Sequence, residues 1–282
     1  MDVKAIRHDA TFSAEVIWTR ARQAGMTRYA RLTRAWENAS PATYRRAQAL
    51  LGRKPDRHPE AQPLPEMGSV VEVDGISMRI DPRMSEHNIR KLARGRHTQH
   101  ERALLRDALI DGDRVMEMGG GIGMVAIDCS RRLGGGNVVS YEPSPGMETL
   151  IRDNYALNRV DPTLIMAMIG AEAGSRTFHV ARQFSRSSAH VSGPDTTPVE
   201  VPVLAFDAEC ARHRPTVLVC DIQGGESEFF AHADLSPFRL VLVEVHPDLI
   251  GLAGARTVSA RIRAAGFVDA GRAGQSLLFR RA

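Results

Sequence analysis

The stretch Val115-Met-Glu-Met-Gly-Gly-Gly-Ile-Gly123 begins as a short apolar run and ends in a glycine-rich segment. An apolar helical pattern follows over residues 125–129. Glycine permits a tight turn, and it lets a ligand approach the backbone because it has no Cβ. A strand, a glycine loop and a helix in this order predict a binding site for a nucleotide-like ligand.

The pattern within the glycine loop discriminates between kinds of ligand. A dinucleotide fingerprint G-x-G-x-x-G fits poorly. If it begins at Gly119, Met124 stands at the position of the last glycine; if it begins at Gly121, Ala126 stands there. The phosphate-binding G-x-x-x-x-G-K-[ST] pattern is excluded, since no Lys or Ser/Thr follows the loop. An acid two residues before the first glycine gives E-x-G-x-G-x-G, which favours a cationic ligand without phosphate. The cofactor-binding candidates here are Glu117, Gly119, Gly121 and Gly123.

A second candidate stands at the end of the next predicted strand. Residues Asn137–Tyr141 are followed by Glu142, about 20 residues past the loop. Nucleoside-binding α/β folds place there an acid that accepts hydrogen bonds from ribose hydroxyls. We therefore predict that Glu142 binds a ribose.

Strand and helix patterns alternate from residue 114 to the end of the chain. The strands predicted from continuous apolar runs are Arg114–Met118, Asn137–Tyr141, Leu164–Ile169, Thr216–Ile222 and Leu240–Val245. Residues 267–270 and 276–279 predict a closing antiparallel pair, and residues 177–205 predict an irregular or hairpin-like insertion. The predicted fold is α/β, a Rossmann-like seven-stranded, mostly parallel sheet with helices on both faces.

The chain divides into three predicted parts. Residues 1–57 are predicted to form an arginine-rich helical segment. Its charges favour a solvated helix face over an anion-binding surface. We expect that a homo-oligomer, if formed, assembles through these helices. Residues 58–84 read as a linker and a β-hairpin, because Val70–Val73 and Ile76–Ile80 flank Asp74-Gly75. Residues 85–282 form the main domain, which begins with predicted helices at 85–93 and 98–109.

Composition narrows the function classes. The net charge is +4 and the sequence pI is about 9.2, a mild excess with interspersed signs. Cys129, Cys210 and Cys220 form no C-x-x-C pair, so neither a disulfide framework nor a structural zinc site is expected. No run approaches the roughly 20 apolar residues of a membrane span, and no secretory leader is seen. We expect a cytoplasmic protein with no membrane span.

Polar residues end two of the predicted parallel strands. Asp221 ends the fourth strand, and Glu244 and His246 end the fifth. Open α/β sheets bind their ligands at the carboxyl ends of their strands, so these three residues are the catalytic candidates.

At these positions the chain from about Ser85 to Ala282 resembles the FkbM-type class I S-adenosylmethionine-dependent methyltransferases. Asp221-Ile-Gln-Gly-Gly-Glu226 is similar to the family's D-x-E-G-A-E, and Val243-Glu-Val-His-Pro247 to its E-x-H-P. Gly95-Arg-His-Thr-Gln-His-Glu101 stands where the family has G-x-Y-E-x-x-E. The chain departs from these patterns at Gln223 and at His97-Thr98.

The resemblance implies S-adenosyl-L-methionine as cofactor and O-methylation of a hydroxyl on a sugar, glycan or other small metabolite. His246 suits the role of base, with Asp221 or Glu244 as its orienting partner or as the alternative base. Glu101 has two readings: a contact with the cofactor's methionine end, or a capping box with Thr98. Glu226 reads mainly as a helix-initiating acid.

Other classes of function stay open at this point. A nucleic-acid or protein methyltransferase is suggested by the basic N-terminal segment, but a nucleic-acid partner ranks lower because no N-P-P-Y-type motif follows the fourth strand. A NAD(P)-binding oxidoreductase shares the loop and the acid, and a non-catalytic binding module is suggested by Gln223. We predict no metal, since the sequence shows no dense carboxylate cluster.

Overall fold

A computed structural model describes residues 63–181, 187 and 196–282. The predicted helices of residues 1–57, the oligomer built through them and residues 58–62 of the predicted linker lie outside the described residues. The predicted domain boundaries at 57/58 and 84/85 stay predictions.

The described residues form short strands and mostly short helices. The strands are β1 (Val70–Val73), β2 (Ile76–Arg79), β3 (Val115–Met118), β4 (Val138–Tyr141), β5 (Thr163–Ile165), β6 (Met168–Gly170), β7 (Gly174–Ala181), β8 (Thr196–Ala205), β9 (Val217–Cys220), β10 (Leu240–Glu244), β11 (Phe267–Ala273) and β12 (Ser276–Arg281). The α-helices are α1 (Glu86–Ala93), α2 (Gln99–Ala108), α3 (Met124–Leu133), α4 (Glu148–Leu157), α5 (Phe206–His213), α6 (Glu226–His232) and α7 (Pro247–Ala264). None of these helices combines the length and apolar character needed to cross a bilayer.

The main sheet has seven strands in the order β11-β12-β10-β9-β3-β4-β5. The strands from β10 to β5 run parallel, and β12 is antiparallel to both of its neighbours. Every residue of β3, β4 and β9 is buried. Because successive side chains of a strand point to opposite faces, both faces of the sheet are covered. The predicted α/β fold with a seven-stranded, mostly parallel sheet is confirmed.

The predicted hairpin before the main sheet is also confirmed. Asp74 and Gly75 have φ values of 50° and 76°, as a two-residue turn of type I′ requires. The side chain of Asn154 accepts from the Arg79 N–H at 2.9 Å, and that of Asn158 accepts from the Ser77 N–H at 2.9 Å. Both asparagines belong to or directly follow α4, so this helix fixes β2 to the main unit.

One predicted strand is wrong. The apolar run Leu164–Ile169 contains two strands, because the chain turns between β5 and β6, where the Ala167 N–H donates to the Ile165 carbonyl at 3.0 Å. β6 then joins a separate three-stranded sheet of order β6-β8-β7. β7 and β8 pair antiparallel, which confirms the hairpin-like insertion predicted for residues 177–205. An apolar run cannot reveal a change of sheet, since both halves are equally apolar.

A buried carboxylate joins the amino ends of three neighbouring strands. Asp113, which is 3% exposed, accepts hydrogen bonds from Thr216 Oγ1 at 2.9 Å, Arg239 Nε at 2.7 Å and the Ile110 N–H at 2.8 Å. Asp113, Thr216 and Arg239 lie just before β3, β9 and β10, respectively. Burial alone would raise the pKa of Asp113, but the hydrogen bonds from Arg239, Ile110 and Thr216 hold it below its ordinary value.

Asp113→Ala is expected to lower the free energy of unfolding by about 3 kcal/mol, measured by urea denaturation at pH 7. This loss of stability is at the low end of the range for breaking a buried ion pair, because the Arg239 side chain is 33% exposed. Since the pKa of Asp113 is lowered in the folded state, the contribution is present above the unfolded pKa of about 4. It is lost as the pH falls through the lowered folded value.

Asp269→Ala is the matched control. It removes the partner of Arg263 at 3.0 Å in a pair whose side chains are 51% and 64% exposed. Exposed pairs contribute less than about 1 kcal/mol. Equal losses in the two variants would contradict the structural role of Asp113.

Candidate functional site

The glycine loop lies across the carboxyl ends of β3 and β4. The N–H groups of Gly119 and Gly120 donate to the Tyr141 carbonyl at 2.9 and 3.0 Å, and the Gly121 N–H donates to Glu142 Oε2 at 2.8 Å. Gly123 is the N-cap residue of α3. The sequence-predicted strand, loop and helix are therefore present, and the loop is fixed to the strand that carries Glu142.

Gly119 brings the loop into contact with Asp221, the residue that follows β9. Its φ of +91° is a conformation that side chains rarely adopt, and a Cβ at this position would lie 1.8 Å from the carbonyl oxygen of Asp221. Asp221 is itself held by a hydrogen bond from its N–H to the Met118 carbonyl at 2.9 Å. A residue without Cβ is thus required at 119 for the loop to meet the end of β9.

The two predicted acids beside the loop are both buried. Glu117 is 3% exposed and accepts from the Ser140 hydroxyl, so it lies beneath the loop. Glu142 is 7% exposed and accepts from the N–H groups of Gly121 and Ser144 at 2.8 and 2.9 Å. Burial is the main cause that raises the pKa of Glu117 to about 8 and that of Glu142 to about 7. Both residues stand where the sequence predicts them.

The three predicted catalytic residues meet at the same edge of the sheet. Asp221 directly follows β9, Glu244 ends β10, and His246 lies between β10 and α7. One ligand atom from each of them lies within 4.8 Å of the others. The Nε2 atom of His246 is 3.6 Å from Oδ1 of Asp221.

Glu101 joins this cluster, and its predicted capping box is wrong. Thr98 has a left-handed φ of 47°, and its side chain makes no capping hydrogen bond. Glu101 is 6% exposed and accepts from Ser276 Oγ at 2.6 Å. Its charge contributes to raising the pKa values of Asp221 and Glu244, so its carboxylate lies near theirs. A contact between Glu101 and the methionine end of the cofactor stays a prediction.

The pKa values of Asp221, Glu244 and His246 are all raised above their ordinary values. Burial and the neighbouring acids raise the pKa values of Asp221 and Glu244. For His246 burial acts in the opposite direction, but the hydrogen bond to Glu226 and the charges of Asp221 and Glu244 outweigh it and raise the pKa. Burial is thus the main cause of the raised pKa values of the two acids, whereas contacts with carboxylates raise that of His246.

The residue that departs from the family signature takes part in the same site. Gln223 has a left-handed φ of 48°, and its side-chain amide donates to Asp221 Oδ1 at 3.0 Å. A glutamate at this position would instead bring another negative charge to an edge that already holds several. The glutamine is therefore compatible with an intact Asp221, which removes the sequence-based ground for a non-catalytic module.

One interaction of the site was missed by the sequence analysis. Glu226, the first residue of α6, accepts from the Gly224 N–H at 3.0 Å and lies 2.7 Å from Nδ1 of His246. The signature Asp221–Glu226 pointed to this glutamate, but its proximity to His246 depends on the pairing of β9 with β10. A position in the sequence alone could not reveal that contact.

The residues at this edge fit a cationic cofactor. Asp221, Glu244 and Glu101 have Gln223, His246 and Ser276 as their neighbours, so the group carries more negative than positive charge. S-adenosylmethionine carries a sulfonium and an ammonium, which carboxylates attract. The oxygens of Glu142 each retain a lone pair that a ribose hydroxyl can use.

A divalent cation is the other ligand that such a cluster suits. The absence of a dense carboxylate cluster, inferred from the sequence, is corrected by the structure, which gathers these acids from segments far apart in the chain. Asp221, Glu244 and His246 offer three ligand atoms within 4.8 Å of one another. The prediction that no metal takes part is untested by this geometry and stays a prediction.

Comparison with known structures identifies similar folds at low identity. A precorrin-6y C5,15-methyltransferase from Geobacter metallireducens is 15% identical, with 63% of this chain and 81% of that chain covered and a TM-score of 0.36. A ribosomal protein L11 methylase from Lactobacillus delbrueckii subsp. bulgaricus is 16% identical, with 67% and 80% covered and a TM-score of 0.39. These TM-scores are too low to support a functional conclusion. A comparison with curated proteins finds no match.

The family comparison is decisive. The family described as Methyltransferase FkbM domain matches residues 120–264, which is more than half of the chain. The match includes Gly120–Gly123 of the glycine loop, Glu142, Asp221, Glu244 and His246. It decides against the oxidoreductase alternative. The chain therefore belongs to the FkbM methyltransferase family, and it is an S-adenosylmethionine-dependent methyltransferase.

Proposed function

We propose that the protein methylates a hydroxyl oxygen of a sugar or another small metabolite. The observation that carries this proposal is the position of His246, whose Nε2 faces the carboxyl edge of the sheet beside Asp221. A hydroxyl must lose its proton when it is methylated, and an imidazole nitrogen is a suitable acceptor. The assigned catalytic residues are His246, Asp221 and Glu244, and the assigned cofactor-binding residues are Glu117, Gly119, Gly121, Gly123, Glu142 and Glu101.

The chemistry follows from the arrangement of these residues. When bound, S-adenosylmethionine would supply a methyl group on a positively charged sulfur, and breakage of that carbon–sulfur bond would leave the neutral thioether S-adenosylhomocysteine. The glycine loop and Glu142 position the nucleoside part, and Asp221 and Glu244 orient the acceptor. His246 Nε2 takes the hydroxyl proton while the oxygen gains the methyl group. Alignment of the reacting atoms supplies most of the acceleration, and the base adds about 10²–10⁴-fold.

The charge of the site favours a small acceptor over a nucleic acid. Asp221, Glu244, Glu101 and Glu226 place their carboxylates at or near the reacting edge. A phosphate backbone would be repelled by this group, whereas the hydroxyls of a sugar can donate hydrogen bonds to carboxylates. This supports the proposed class of acceptor.

Transfer of labelled methyl from S-adenosylmethionine tests the proposal. The acceptor panel comprises sugars, glycans, small alcohols and phenols, each beside its deoxy analogue, together with RNA and a protein mixture. We expect label in a hydroxylated small molecule, none in its deoxy analogue, and an ether carbon in the NMR spectrum of the product. Transfer only to RNA or protein, or to nitrogen or carbon, would overturn the proposed acceptor class.

Two controls separate the parts of this proposal. Calorimetry of S-adenosylmethionine binding reports the cofactor site without any acceptor. Dialysis against a chelator is expected to leave turnover unchanged, because the ring nitrogen is the proposed proton acceptor. A loss of turnover that Mg²⁺ restores would contradict the metal-free proposal.

A further inference from the structure

Helix initiation does not explain the burial of Glu226. The residue has no exposed surface, although a buried carboxylate is costly unless it is paired. Its Oε1 accepts from the Gly224 N–H at 3.0 Å and lies 2.7 Å from Nδ1 of His246, while Oε2 has no hydrogen-bond partner among the described residues. An acid that only starts a helix can stay in solvent. The contact with His246 is therefore the feature that accounts for a buried acid at this position.

The short distance between Glu226 and His246 decides where the ring carries its hydrogen. An ionised carboxylate only accepts hydrogen bonds. Oε1 of Glu226 already accepts from the Gly224 N–H, so Nδ1 is assigned as the donor of this contact, whose 2.7 Å is the length of a charge-assisted bond. With the hydrogen on Nδ1, the neutral ring has its lone pair on Nε2, the nitrogen that faces Asp221 at 3.6 Å. Glu226 thus selects the tautomer that a proton acceptor at Nε2 requires.

A single turn of the chain supplies a carboxylate to each side of the ring. Asp221 faces Nε2 and Glu226 faces Nδ1; Asp221 directly follows β9, and Glu226 is the first residue of α6. The residues between them hold the two acids in place, because Gln223 donates to Asp221 and the Gly224 N–H donates to Glu226. The orientation of His246 is consequently determined by this turn.

We propose that Glu226 is a positioning residue for methyl transfer. It keeps the hydrogen of His246 on Nδ1 and directs Nε2 towards the acceptor hydroxyl. This inference rests on the proposed function, in which Nε2 takes the hydroxyl proton. Glu226 itself does not touch the reacting atoms, since its carboxylate lies on the opposite side of the ring.

Glu226→Gln tests the proposal with a side chain of the same shape. The amide can donate to Nδ1, which would move the ring hydrogen to Nε2, the wrong nitrogen for a base. We expect kcat to fall by about 10²-fold, within the range of general-base catalysis. The KM values for acceptor and S-adenosylmethionine should change by less than about twofold, because Glu226 contacts neither. ¹⁵N NMR of His246, recorded at a pH above its raised pKa so that the ring is neutral, should show the hydrogen leaving Nδ1.

Glu228→Gln is the matched control on the same helix. Glu228 is exposed and forms a bidentate pair with Arg176 at 2.8 and 3.1 Å. We expect this variant to leave kcat and the His246 tautomer unchanged. If Glu226→Gln fails to fold, Glu226→Asp replaces it: the shorter carboxylate should keep the hydrogen on Nδ1 and lower kcat by less than about 10²-fold relative to the unmodified protein.

The readouts separate this inference from the proposed function. If the protein methylates no hydroxyl, the proposed function fails, while the NMR measurement still reports whether Glu226 sets the tautomer. If hydroxyl methylation occurs and Glu226→Gln retains full kcat, with the hydrogen still on Nδ1, the positioning role is overturned. A fall in kcat with an unchanged tautomer would also overturn it.

Discussion

Gly119→Ala is expected to abolish detectable binding of S-adenosylmethionine. The new Cβ would lie 1.8 Å from the carbonyl oxygen of Asp221, whereas real Cβ contacts are essentially never under 3.0 Å. The oxygen belongs to backbone that the Met118 carbonyl already holds, so it cannot move aside alone. The positive φ adds about 1–2 kcal/mol of strain. The loop must therefore shift, and its contacts with Tyr141 and Glu142 are lost with it.

Calorimetric titration with S-adenosylmethionine measures the effect, and circular dichroism checks that the sheet is retained. Gly136→Ala is the matched control, because a Cβ there meets nothing within 4 Å in the part of the chain that the structure describes, and its φ is not positive. This control should bind the cofactor as the unmodified protein does. Binding by Gly119→Ala within about twofold of the unmodified protein would show that the close approach to Asp221 is not needed.

The second large effect concerns turnover. His246→Asn is expected to lower kcat by about 10²–10⁴-fold while cofactor binding stays unchanged, because it removes the proton acceptor but not the glycine loop. Burial opposes the shift, but Glu226 and the acids around the ring raise the pKa of His246. The base must be deprotonated to act. In the unmodified protein kcat/KM should therefore rise with pH through a value above the ordinary 6.5.

The pH profile distinguishes a base from a structural histidine. His246→Asn should lose this acidic limb as well as most of its turnover. His232→Asn, at the exposed end of α6, is the control and should retain both. Near-full turnover of His246→Asn at every pH would remove His246 from the proposed mechanism, and the assignment would pass to Asp221 or Glu244.

The sequence predicted those parts of the fold and site that local patterns encode. The glycine loop, the acid that ends β4 and the hairpin at Asp74-Gly75 each depend on a few consecutive residues. The break in the run Leu164–Ile169 could not be predicted, because a turn between two apolar strands leaves the composition unchanged. Which polar residues end a strand can be inferred from one segment of sequence. Which sheet that strand joins depends on pairing with strands far away in the chain.

The same distinction explains the errors at the site. Glu101 matched a capping box by spacing, yet its carboxylate binds Ser276, which is 175 residues away. The contact between Glu226 and His246 and the gathering of the acids likewise depend on how β9, β10 and α2 are brought together. Gln223 replaces an acid of the family signature, and only the folded chain shows that its amide donates to Asp221. Each of these contacts depends on the tertiary structure, which a local sequence pattern does not encode.

The network at Asp113 has a consequence for how such a protein can change its substrate. Asp113, Thr216 and Arg239 tie together the amino ends of β3, β9 and β10, and the opposite ends of these strands carry the loop, Asp221 and Glu244. Four or five residues of strand separate the two ends, a distance of about 13–17 Å. Substitutions that alter the acceptor can therefore accumulate at one edge while the alignment of the strands is maintained from the other. Directed evolution of new acceptors should accordingly leave residues 113, 216 and 239 unmutated and diversify the residues that follow the strands.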